Sequence, residues 1–317
     1  MDFKQLRTFL TIADVGNMTR AAEILNLVQP AVSRHIKLLE DDVGTELFER
    51  HRHGMVLTEA GRSLLGYARR ALLELDRARA EISGTVAGNV TGLVSLGLLP
   101  STVDLLSGPL VSAVAEEYPG IQVRITVGYA GTLLQWLQTG EVDAALLYGA
   151  ERNAQVQHTP LVEEALWVIG PPECGLSPDK PVQLRELAGH VFVLPSAPHG
   201  IRTLVEQATA GMEIRLRISA ETNALSVQRS LVLGGHGLTI LPPIAVADDL
   251  RNGKLVGAPL ASPGISRSIV LALPTHRPTP RHVQCAVESL IIEARRAIDT
   301  GSWPEGRWVY DDETAST

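Results

Sequence analysis

The pattern of apolar residues changes at a glycine-rich segment, GTVAGNVTG (84–92), and this change constrains the fold more than any other feature. Before it, apolar residues recur every three or four positions, which is the helical period. After it, short β-rich runs alternate with helical stretches, which is typical of an α/β region. A chain of 317 residues can hold two or three domains with their own cores. We therefore predict two different parts joined at a hinge over 84–92. The segment has no Lys, which argues against a phosphate-binding loop.

Three short helices are predicted before residue 45. The first ends near Gly16-Asn17 and has one apolar face, formed by Phe3, Leu6, Leu10 and Ala13. Thr19 is predicted to cap the second helix, with Glu23 as its return partner. Pro30 suits the first turn of the third helix, where its missing N–H costs nothing. A helix pair joined by a tight turn and braced by another helix is a helix-turn-helix, whose second helix enters the major groove of DNA.

The third helix lies within NLVQPAVSRHIKLLE (26–40) and has two contrasting faces. The apolar face is predicted to consist of Val32, Ile36 and Leu39. The opposite face carries no acid before Glu40 and consists of Gln29, Ser33, Arg34 and Lys37. Two interpretations are open, an ordinary solvated face or a surface that reads base edges.

The segment ELFERHRHGMVLTEAG (46–61) predicts a β-hairpin with a basic tip. Its strands lie around Leu47-Phe48 and Met55–Leu57, with the tip at Arg50–His53 and a turn at Gly54. Arginine at such a tip suits the minor groove, where the potential is most negative. The alternative is a solvated loop, but directly after a helix-turn-helix the hairpin is predicted to be the wing of a winged helix.

A long helix is predicted over residues 59–83. Its apolar residues alternate spacings of four and three, at Leu64, Ala68, Ala71, Leu75, Ala78 and Ile82. So narrow a seam suits a coiled-coil-like contact with a second copy of the chain. A dimer would present two reading helices to a roughly symmetric DNA site.

Charge and cysteine usage limit the possible partners. The net charge is −7, yet residues 1–90 hold twelve Lys/Arg and twelve Asp/Glu, so residues 91–317 carry the whole excess of acid. Any contact with DNA must therefore come from local patches near the N-terminus. Cys174 and Cys285 form no CxxC motif, and we find neither a signal pattern nor an apolar run of about 18 residues. These features predict a cytoplasmic protein with two ordinary thiols and no membrane partner.

From residue 93 onward an α/β region with mostly parallel sheets is predicted. Its strands are LVSLGLL, IQVRITV, VDAALLY, EALWVIG, HVFVLP, IRLRIS, GLTILP and SIVLAL, and its helices are 103–117, 131–139, 200–209, 223–234 and 280–298. So many strands suggest two lobes with crossovers near 161–169 and 265–273. Ligands in such folds bind beyond the carboxyl ends of the strands.

The sequence resembles LysR-type transcriptional regulators over nearly its whole length. The residues that carry the resemblance are FLTIADVGNMTRAAEILNLVQPAVSRHIKLLEDDVGTELFER, VLTEAG, PLVSAVAEEYPGIQV, LQTGEVDAALLY and GGHGLTILP. The segments LGLLPST and LPSAPHGIR are similar to the nitrogen-assimilation-control branch of that family. Two positions depart from the family pattern: Val28 stands where Ser or Thr usually caps the recognition helix, and Ala130 replaces a common hydroxyl residue.

The resemblance implies an activator or repressor that assembles as a dimer of dimers. It implies a winged helix-turn-helix (1–60), a linker and dimerisation helix with a hinge (61–89), a periplasmic-binding-protein-like effector domain (90–303) and a tail (304–317). In that domain, lobe 1 would span 90–161 and 267–303, and lobe 2 would span 162–266. The tail, from Trp303 onward, is predicted to be a weakly ordered acidic end.

Specific residues are predicted to contact DNA. Base readout is assigned to Gln29, Ser33 and Arg34, because Gln can pair with adenine and Arg with guanine. Pro30 and Ala31 are expected at a thymine methyl group. Phosphate contacts are assigned to Thr19, Arg20, Lys37 and Thr58, and a minor-groove contact to Arg52. A merely solvated Lys37 is the alternative at that position.

An effector site is predicted between the lobes. On the first lobe its residues are Ser101, Thr102, Gly131, Thr132 and Tyr148, and on the second Ser196, His199 and Arg202. A hydroxyl-rich cleft with one Arg suits a small carboxylate or similar anion. The alternative is that Ser101 and Ser196 merely cap helices.

Other function classes fit less well. No metal-ligand spacing, GxSxG, HExxH or paired-carboxylate pattern is present, so no enzyme activity, metal or cofactor is predicted. A small-molecule-binding module without DNA activity would explain only the α/β region. The partners predicted are double-stranded promoter DNA, a small-molecule effector, other copies of the chain and RNA polymerase.

Overall fold

The computed structural model describes residues 1–52, 54–87, 90–149, 155–212, 214–275 and 277–310. The chain divides into two compact units. The N-terminal unit comprises Met1–Gly92 with Thr139–Glu141, and the C-terminal unit comprises Leu93–Gln138 with Val142–Thr317. The two predicted parts of the chain are thus separate units in space, and each is described by itself.

Three helices begin the N-terminal unit: α1 (Phe3–Val15), α2 (Met18–Leu25) and α3 (Gln29–Val43). Helix α1 ends, as predicted, at Gly16, whose φ of 66° lies in the left-handed region. The predicted cap of α2 is wrong, because Asn17 and not Thr19 is the capping residue. The Asn17 side chain accepts hydrogen bonds from the backbone N–H groups of Thr19 and Arg20.

The core of this unit confirms the predicted apolar face of α3. Val32, Ile36 and Leu39 are all buried, in one cluster with Phe9 of α1 and Phe48 of the hairpin. The rings of Phe9 and Phe48 lie 5.3 Å apart, so the hairpin is attached to the helices through the core. The hairpin itself is confirmed, with β1 (Phe48–His51) antiparallel to β2 (Gly54–Leu57).

Helix α4 spans Glu59–Ala87 and changes two predictions. It continues through 84–87, so this part of the predicted hinge is helical, while 88–89 lie outside the described residues. Ala68 is buried and Leu64 half-buried in the unit's own core, so these two are not free for a dimer seam as predicted. Ala71 and Ala78 are exposed and Leu75 is half-buried, whereas the Ile82 side chain lies outside the described residues.

The first lobe of the C-terminal unit is built on a six-stranded sheet in the order β13-β6-β12-β5-β3-β4. Its strands are β3 (Thr91–Leu98), β4 (Gly120–Val127), β5 (Ala144–Tyr148), β6 (Val156–Ala165), β12 (Ser266–Pro274) and β13 (Gly306–Trp308). Its helices are α5 (Val103–Glu117), α6 (Ala130–Thr139) and α10 (Arg281–Asp299), close to the predicted bounds.

The second lobe contains the strand order β10-β7-β11 and the pair β8-β9. A bridge from Phe192 to Leu238 links the two groups. The strands are β7 (Trp167–Gly170), β8 (Val191–Pro195), β9 (Arg217–Thr222), β10 (Thr239–Leu241) and β11 (Val256–Pro259), and the helices α7 (Gly200–Ala210), α8 (Leu225–Leu233) and α9 (Ala247–Arg251). Three short 3₁₀ segments lie at Pro172–Cys174, Leu184–Gly189 and Pro243–Val246.

The prediction of mostly parallel sheets is wrong. Strand β12 runs antiparallel to both β5 and β6, and β7 runs antiparallel to both β10 and β11. The pairs β3–β5 and β8–β9 are parallel. The reason is the connectivity: the chain reaches β7 and β12 through the crossovers between the lobes, whereas the parallel pairs are connected by helices that return the chain along the same sheet.

The lobes are joined by two adjacent crossovers. The chain leaves the first sheet after Ala165 and returns at Ser266, so the first lobe extends beyond the predicted boundary at 161. The Leu166 N–H donates a hydrogen bond to the Ile265 carbonyl at 2.8 Å, which ties the crossovers together.

The predicted weakly ordered tail is wrong through residue 310. The Trp303 side chain is 2% exposed, and β13 (Gly306–Trp308) pairs with β6. The remaining residues, 311–317, lie outside the described residues.

Candidate nucleic-acid interface and ligand cleft

The outer face of α3 presents polar side chains that nothing else in the unit uses. Gln29, Arg34 and Lys37 are exposed, and to the described residues they make no hydrogen bond or ion pair. Pro30 is exposed, while Ala31 and Ser33 are half-buried. These groups are free to make hydrogen bonds to an external partner.

The inner face of α3 is held in place by a polar contact as well as by the core. The Thr8 hydroxyl donates to the Lys4 carbonyl at 2.7 Å and lies 2.9 Å from His35 Nδ1. Because the hydroxyl proton is used, the imidazole must be the donor of the second bond. This bond adds to the core packing of Val32, Ile36 and Leu39, which sets the rotation of α3 about its axis and with it the direction of the exposed face.

The start of α3 has no side-chain cap. Val28 is the N-cap residue, makes no capping hydrogen bond and is 69% exposed. Asn26 does not replace it, because its φ of 52° places it at the C-terminal end of α2. Compared with Ser or Thr, such a cap costs about 1 kcal/mol.

The hairpin and α3 border a cleft of about 580 Å³. Its lining includes the positively charged Lys37 and Arg50, the negatively charged Glu46 and Glu49, and the uncharged Ser33. Arg50 and Arg52 are exposed on the hairpin. His51 Nε2 lies 3.2 Å from a Glu49 carboxylate oxygen. The arginines thus lie beside α3, while part of the surrounding charge is negative.

Two of the predicted phosphate contacts have partners within the unit. The Thr58 hydroxyl donates to the Glu46 carbonyl at 2.8 Å and accepts from the Gly61 N–H at 3.0 Å. Thr58 therefore caps α4. Arg20 forms an exposed ion pair with Glu23 at 2.8 Å, and a pair of this kind is readily exchanged.

Tyr129 connects the two lobes of the C-terminal unit. Its hydroxyl, at the start of α6, accepts a hydrogen bond from the Leu225 N–H at the start of α8, at 3.0 Å. On one side of Tyr129 lies a cavity of about 930 Å³, lined by Thr132 among others. On the other side lies a cavity of about 660 Å³, lined by Gly131, Tyr148 and His199 among others.

A chamber of about 20 Å³ adjoins the 660 Å³ cavity and is lined by Ser101, Tyr148 and His199 among others. Both spaces are also lined by Arg267, which is not among the residues predicted for the effector site. The Arg267 side chain is 2% exposed and forms a buried ion pair with Glu164. Its Nη2 donates to the Ser101 hydroxyl oxygen at 2.9 Å.

Two further contacts hold this buried pair. The Arg267 guanidinium lies over the Tyr148 ring, with Cζ 4.2 Å from the ring centroid. The Trp303 indole donates to the second Glu164 oxygen at 2.8 Å. A partial signal exists in the sequence, because Arg267 is the one charged residue of β12 and lies next to a crossover, as Glu164 of β6 lies next to the other. Buried charges of this kind need partners.

His199 is held in the neutral state at the mouth of the chamber. Its Nδ1 accepts a hydrogen bond from the Ile201 N–H at 3.2 Å and so caps α7. Burial, with the nearby charge of Arg267, lowers the pKa of His199 to about 4. The edge of its ring packs on Tyr129, with the centroids 4.9 Å apart.

The structure does not bring the other predicted cleft residues to this site. Arg202 forms ion pairs with Glu206 at 2.5 Å and Glu221 at 2.6 Å. The Thr102 hydroxyl and N–H both donate to the Leu99 carbonyl. Thr102, Ser196 and Arg202, all within the described ranges, lie outside the lining of the chamber and of the 660 Å³ cavity.

The described residues carry neither a membrane span nor a metal cluster. None of their helices has the length and apolarity that a bilayer crossing needs. No three His, Cys, Asp or Glu side chains among them come together as a metal ion would require.

Comparisons with known proteins match both units. Residues 3–62 match the bacterial regulatory helix-turn-helix protein, lysR family, and residues 87–295 match the LysR substrate binding domain. The transcriptional regulator BbuR of Bordetella bronchiseptica is 30% identical over 96% of this chain and 93% of its own length. The nitrogen assimilation regulatory protein nac of Klebsiella aerogenes is 29% identical over 92% of this chain and 94% of its own. The resemblance to nitrogen assimilation regulators is thereby confirmed.

Solved structures share the fold. Full-length CbnR in complex with its target DNA superposes with a TM-score of 0.72 at 22% identity, covering 94% of this chain and all of that one. The predicted architecture, a winged helix-turn-helix followed by a two-lobed α/β domain, is confirmed by this match and by the fold described above.

Proposed function

The chain belongs to the LysR family of transcriptional regulators, and on that basis we propose that α3 reads a promoter while a small molecule bound between the lobes modulates the response. The observation that carries the first half is the exposed face of α3. It offers an amide, a guanidinium and an ammonium group without partners in the described structure, on a helix whose rotation is fixed from within.

The proposal assigns roles by reach and chemistry. Gln29 and Arg34 read bases, because their planar groups can each make paired hydrogen bonds to one base edge. Lys37, Thr19 and Arg20 contact phosphates, and Arg50 joins Arg52 on the hairpin as a candidate for the minor groove. Thr58 supports the site as the cap of α4, because its hydroxyl, its N–H and its carbonyl are all hydrogen-bonded within the unit.

The proposal includes an assembly of several copies. The CbnR structure holds its target DNA, and a symmetric DNA site needs two reading helices one or more helical turns apart. We propose a dimer of dimers, contact with RNA polymerase at activated promoters, residence in the cytoplasm where the chromosome is accessible, and no catalytic step.

The test is fluorescence anisotropy of the full chain on DNA from upstream of its own gene, with random-sequence DNA as the reference, across a salt series. Arg34→Ala is expected to reduce the preference for the specific DNA by about tenfold or more, since a good paired hydrogen bond to a base contributes ~1–3 kcal/mol. Lys37→Ala is expected to weaken binding to both DNAs and to lower the salt slope by about 0.9 for each phosphate that is no longer neutralised.

The matched control is Arg251→Ala, an exposed arginine on α9 of the other unit, paired with Asp248. It removes the same charge and should leave both preference and slope unchanged. If wild type shows no preference for its own upstream DNA and binds neither DNA at low salt, the alternative of a small-molecule-binding module gains support.

A further inference from the structure

We propose that the ligand of the interlobe cleft is a small monocarboxylate with an apolar body, and that Arg267 is its anchor. This inference rests on the proposed function, because it names the ligand class of the same cleft. Arg267, and not the predicted Arg202, is then the cation of the site, because Arg202 forms ion pairs with two glutamates.

Arg267 has a side-chain donor that no described residue uses. Glu164 and Ser101 occupy Nε and Nη2 of Arg267, but the buried Nη1 has no partner among the described residues. A buried guanidinium nitrogen without an acceptor costs free energy, and such groups in native proteins usually have an explanation. An acceptor oxygen supplied by a ligand would satisfy it.

The space around Arg267 consists of a small chamber and a larger cavity. The chamber of about 20 Å³ has room for one water or one small polar group. It shares five lining residues with the 660 Å³ cavity: Tyr129, Tyr148, His199, Ile201 and Arg267. A ligand with a compact polar head and a larger body fits both spaces at once.

The two large cavities differ in the charge of their linings. The lining of the 660 Å³ cavity contains no Asp or Glu among the described residues, whereas the 930 Å³ cavity is lined by Asp104, Asp248 and Asp249. The first residues of α6 and α7, Ala130 and Gly200, also line the smaller cavity. Helix N-termini favour negative charge, so a carboxylate is accommodated although Glu164 already balances Arg267.

The nature of the body follows from the rest of the lining. Leu134, Leu147, Pro198, Ile201 and Leu204 give apolar walls, with the Tyr148 ring beside them. These walls favour an apolar body, while Thr203, Gln207, Ser266 and Ser268 add polar groups to the same lining. His158 also lines this cavity and offers a hydrogen-bonding group, because both of its ring nitrogens are buried without a partner among the described residues.

The experiment is isothermal titration of the full chain with sodium benzoate, benzamide, acetate and inorganic phosphate. Benzoate is expected to bind. Benzamide tests the need for the charge, acetate tests the need for the apolar body, and phosphate tests the need for a carboxylate. Each of these three is expected to bind at least tenfold more weakly. Equal binding of benzoate and benzamide, or tighter binding of phosphate, would overturn the inference.

Two variants locate the site. Arg267→Lys keeps the charge beside Glu164 but loses the planar fork, and should weaken benzoate at least tenfold. Gly131→Leu serves if the lysine variant does not fold. Gly131 is exposed and a Cβ there meets nothing within 4 Å, so the change adds an apolar side chain at the cavity wall without a clash at the Cβ. It should also abolish benzoate binding.

The matched control is Arg229→Lys, since Arg229 lines the 930 Å³ cavity and pairs with Asp249. It should bind benzoate as wild type does. Loss of binding in this control, with retention in Gly131→Leu, would contradict the assignment to Arg267. If benzoate fails to bind while the preference for upstream DNA is intact, the ligand class is wrong and the proposed function stands. If both fail, the proposed function fails as well.

Discussion

Arg34 and Arg267 lie in different units of the chain and differ in burial and in ion pairing. Arg34 is exposed on α3 and makes no ion pair with the described residues, whereas Arg267 is buried and held by Glu164, Ser101 and Tyr148. DNA arrives as a large external polyanion, so the cation that reads it can remain in water until binding. A small ligand needs a cation that is already oriented, which requires burial and an internal partner.

The largest change in stability is expected when Glu164, the partner of Arg267, is replaced. Glu164→Ala leaves Arg267 buried without its carboxylate and also removes the acceptor of the Trp303 indole. Removing one partner of a buried pair costs roughly 3–5 kcal/mol, so the free energy of unfolding of the C-terminal unit should fall by that amount. Denaturant unfolding followed by tryptophan fluorescence measures it.

The control for that variant replaces both partners. Glu164→Leu combined with Arg267→Met removes the charges together and should restore most of the lost stability. A single variant as stable as wild type would mean that the pair is solvated and that Arg267 is not rigidly held.

The second effect concerns pH. The pKa of His199 is about 4 in the folded chain against 6.5 for the free side chain. As pH falls below 6.5 the unfolded chain takes up a proton that the folded chain excludes, so stability is lost progressively between pH 6.5 and 4. Because His199 is partly exposed, the discounted loss is on the order of 1 kcal/mol.

His199→Asn isolates this contribution, since Asn can also cap α7 but does not titrate. The variant should lose less stability than wild type when thermal unfolding is compared at pH 7 and pH 5. Parallel pH profiles for the two proteins would show that His199 is not the group responsible.

The third effect is a gain in the stability of the N-terminal unit. Val28→Ser supplies the missing side-chain acceptor at the start of α3 and should stabilise this unit by about 1 kcal/mol. Little is lost, because the Val28 side chain is mostly exposed. Chemical unfolding of wild type and variant measures the difference, and Val28→Thr should act in the same direction. Destabilisation by both substitutions would show that Val28 has a packing role.

The smallest effect is expected at Arg34. Arg34→Ala should change the free energy of unfolding by less than about 0.5 kcal/mol, as is usual for an exposed residue without partners. Circular dichroism during denaturant unfolding checks this. A loss as large as that for Glu164→Ala would remove the contrast between the two arginines.

The same contrast explains what could be predicted from the sequence. The exposed face of α3 was predictable because Val32, Ile36 and Leu39 set the buried side through local spacing alone. The cap at Asn17 was missed by two residues, because Asn and Thr both suit that role and only the backbone decides between them.

The cleft was predictable in outline only. His199, Tyr148 and Ser101 line the chamber, since β5 ends at Tyr148 and the other two follow the ends of β8 and β3. Arg267 was missed because its partner Glu164 is 103 positions away, and their pairing exists only after β6 and β12 are aligned in the sheet. Strand direction was missed for the same reason, as pairing between distant strands leaves no local pattern.

The most direct test measures the preference for upstream DNA and the response to benzoate on the same proteins. Wild type, Arg34→Ala and Arg267→Lys are compared by anisotropy on upstream and random DNA, each with and without benzoate. We expect Arg34→Ala to lose sequence preference, and Arg267→Lys to keep it while losing any response to benzoate. An Arg34→Ala protein with undiminished preference would contradict the assignment of base reading to the exposed face of α3.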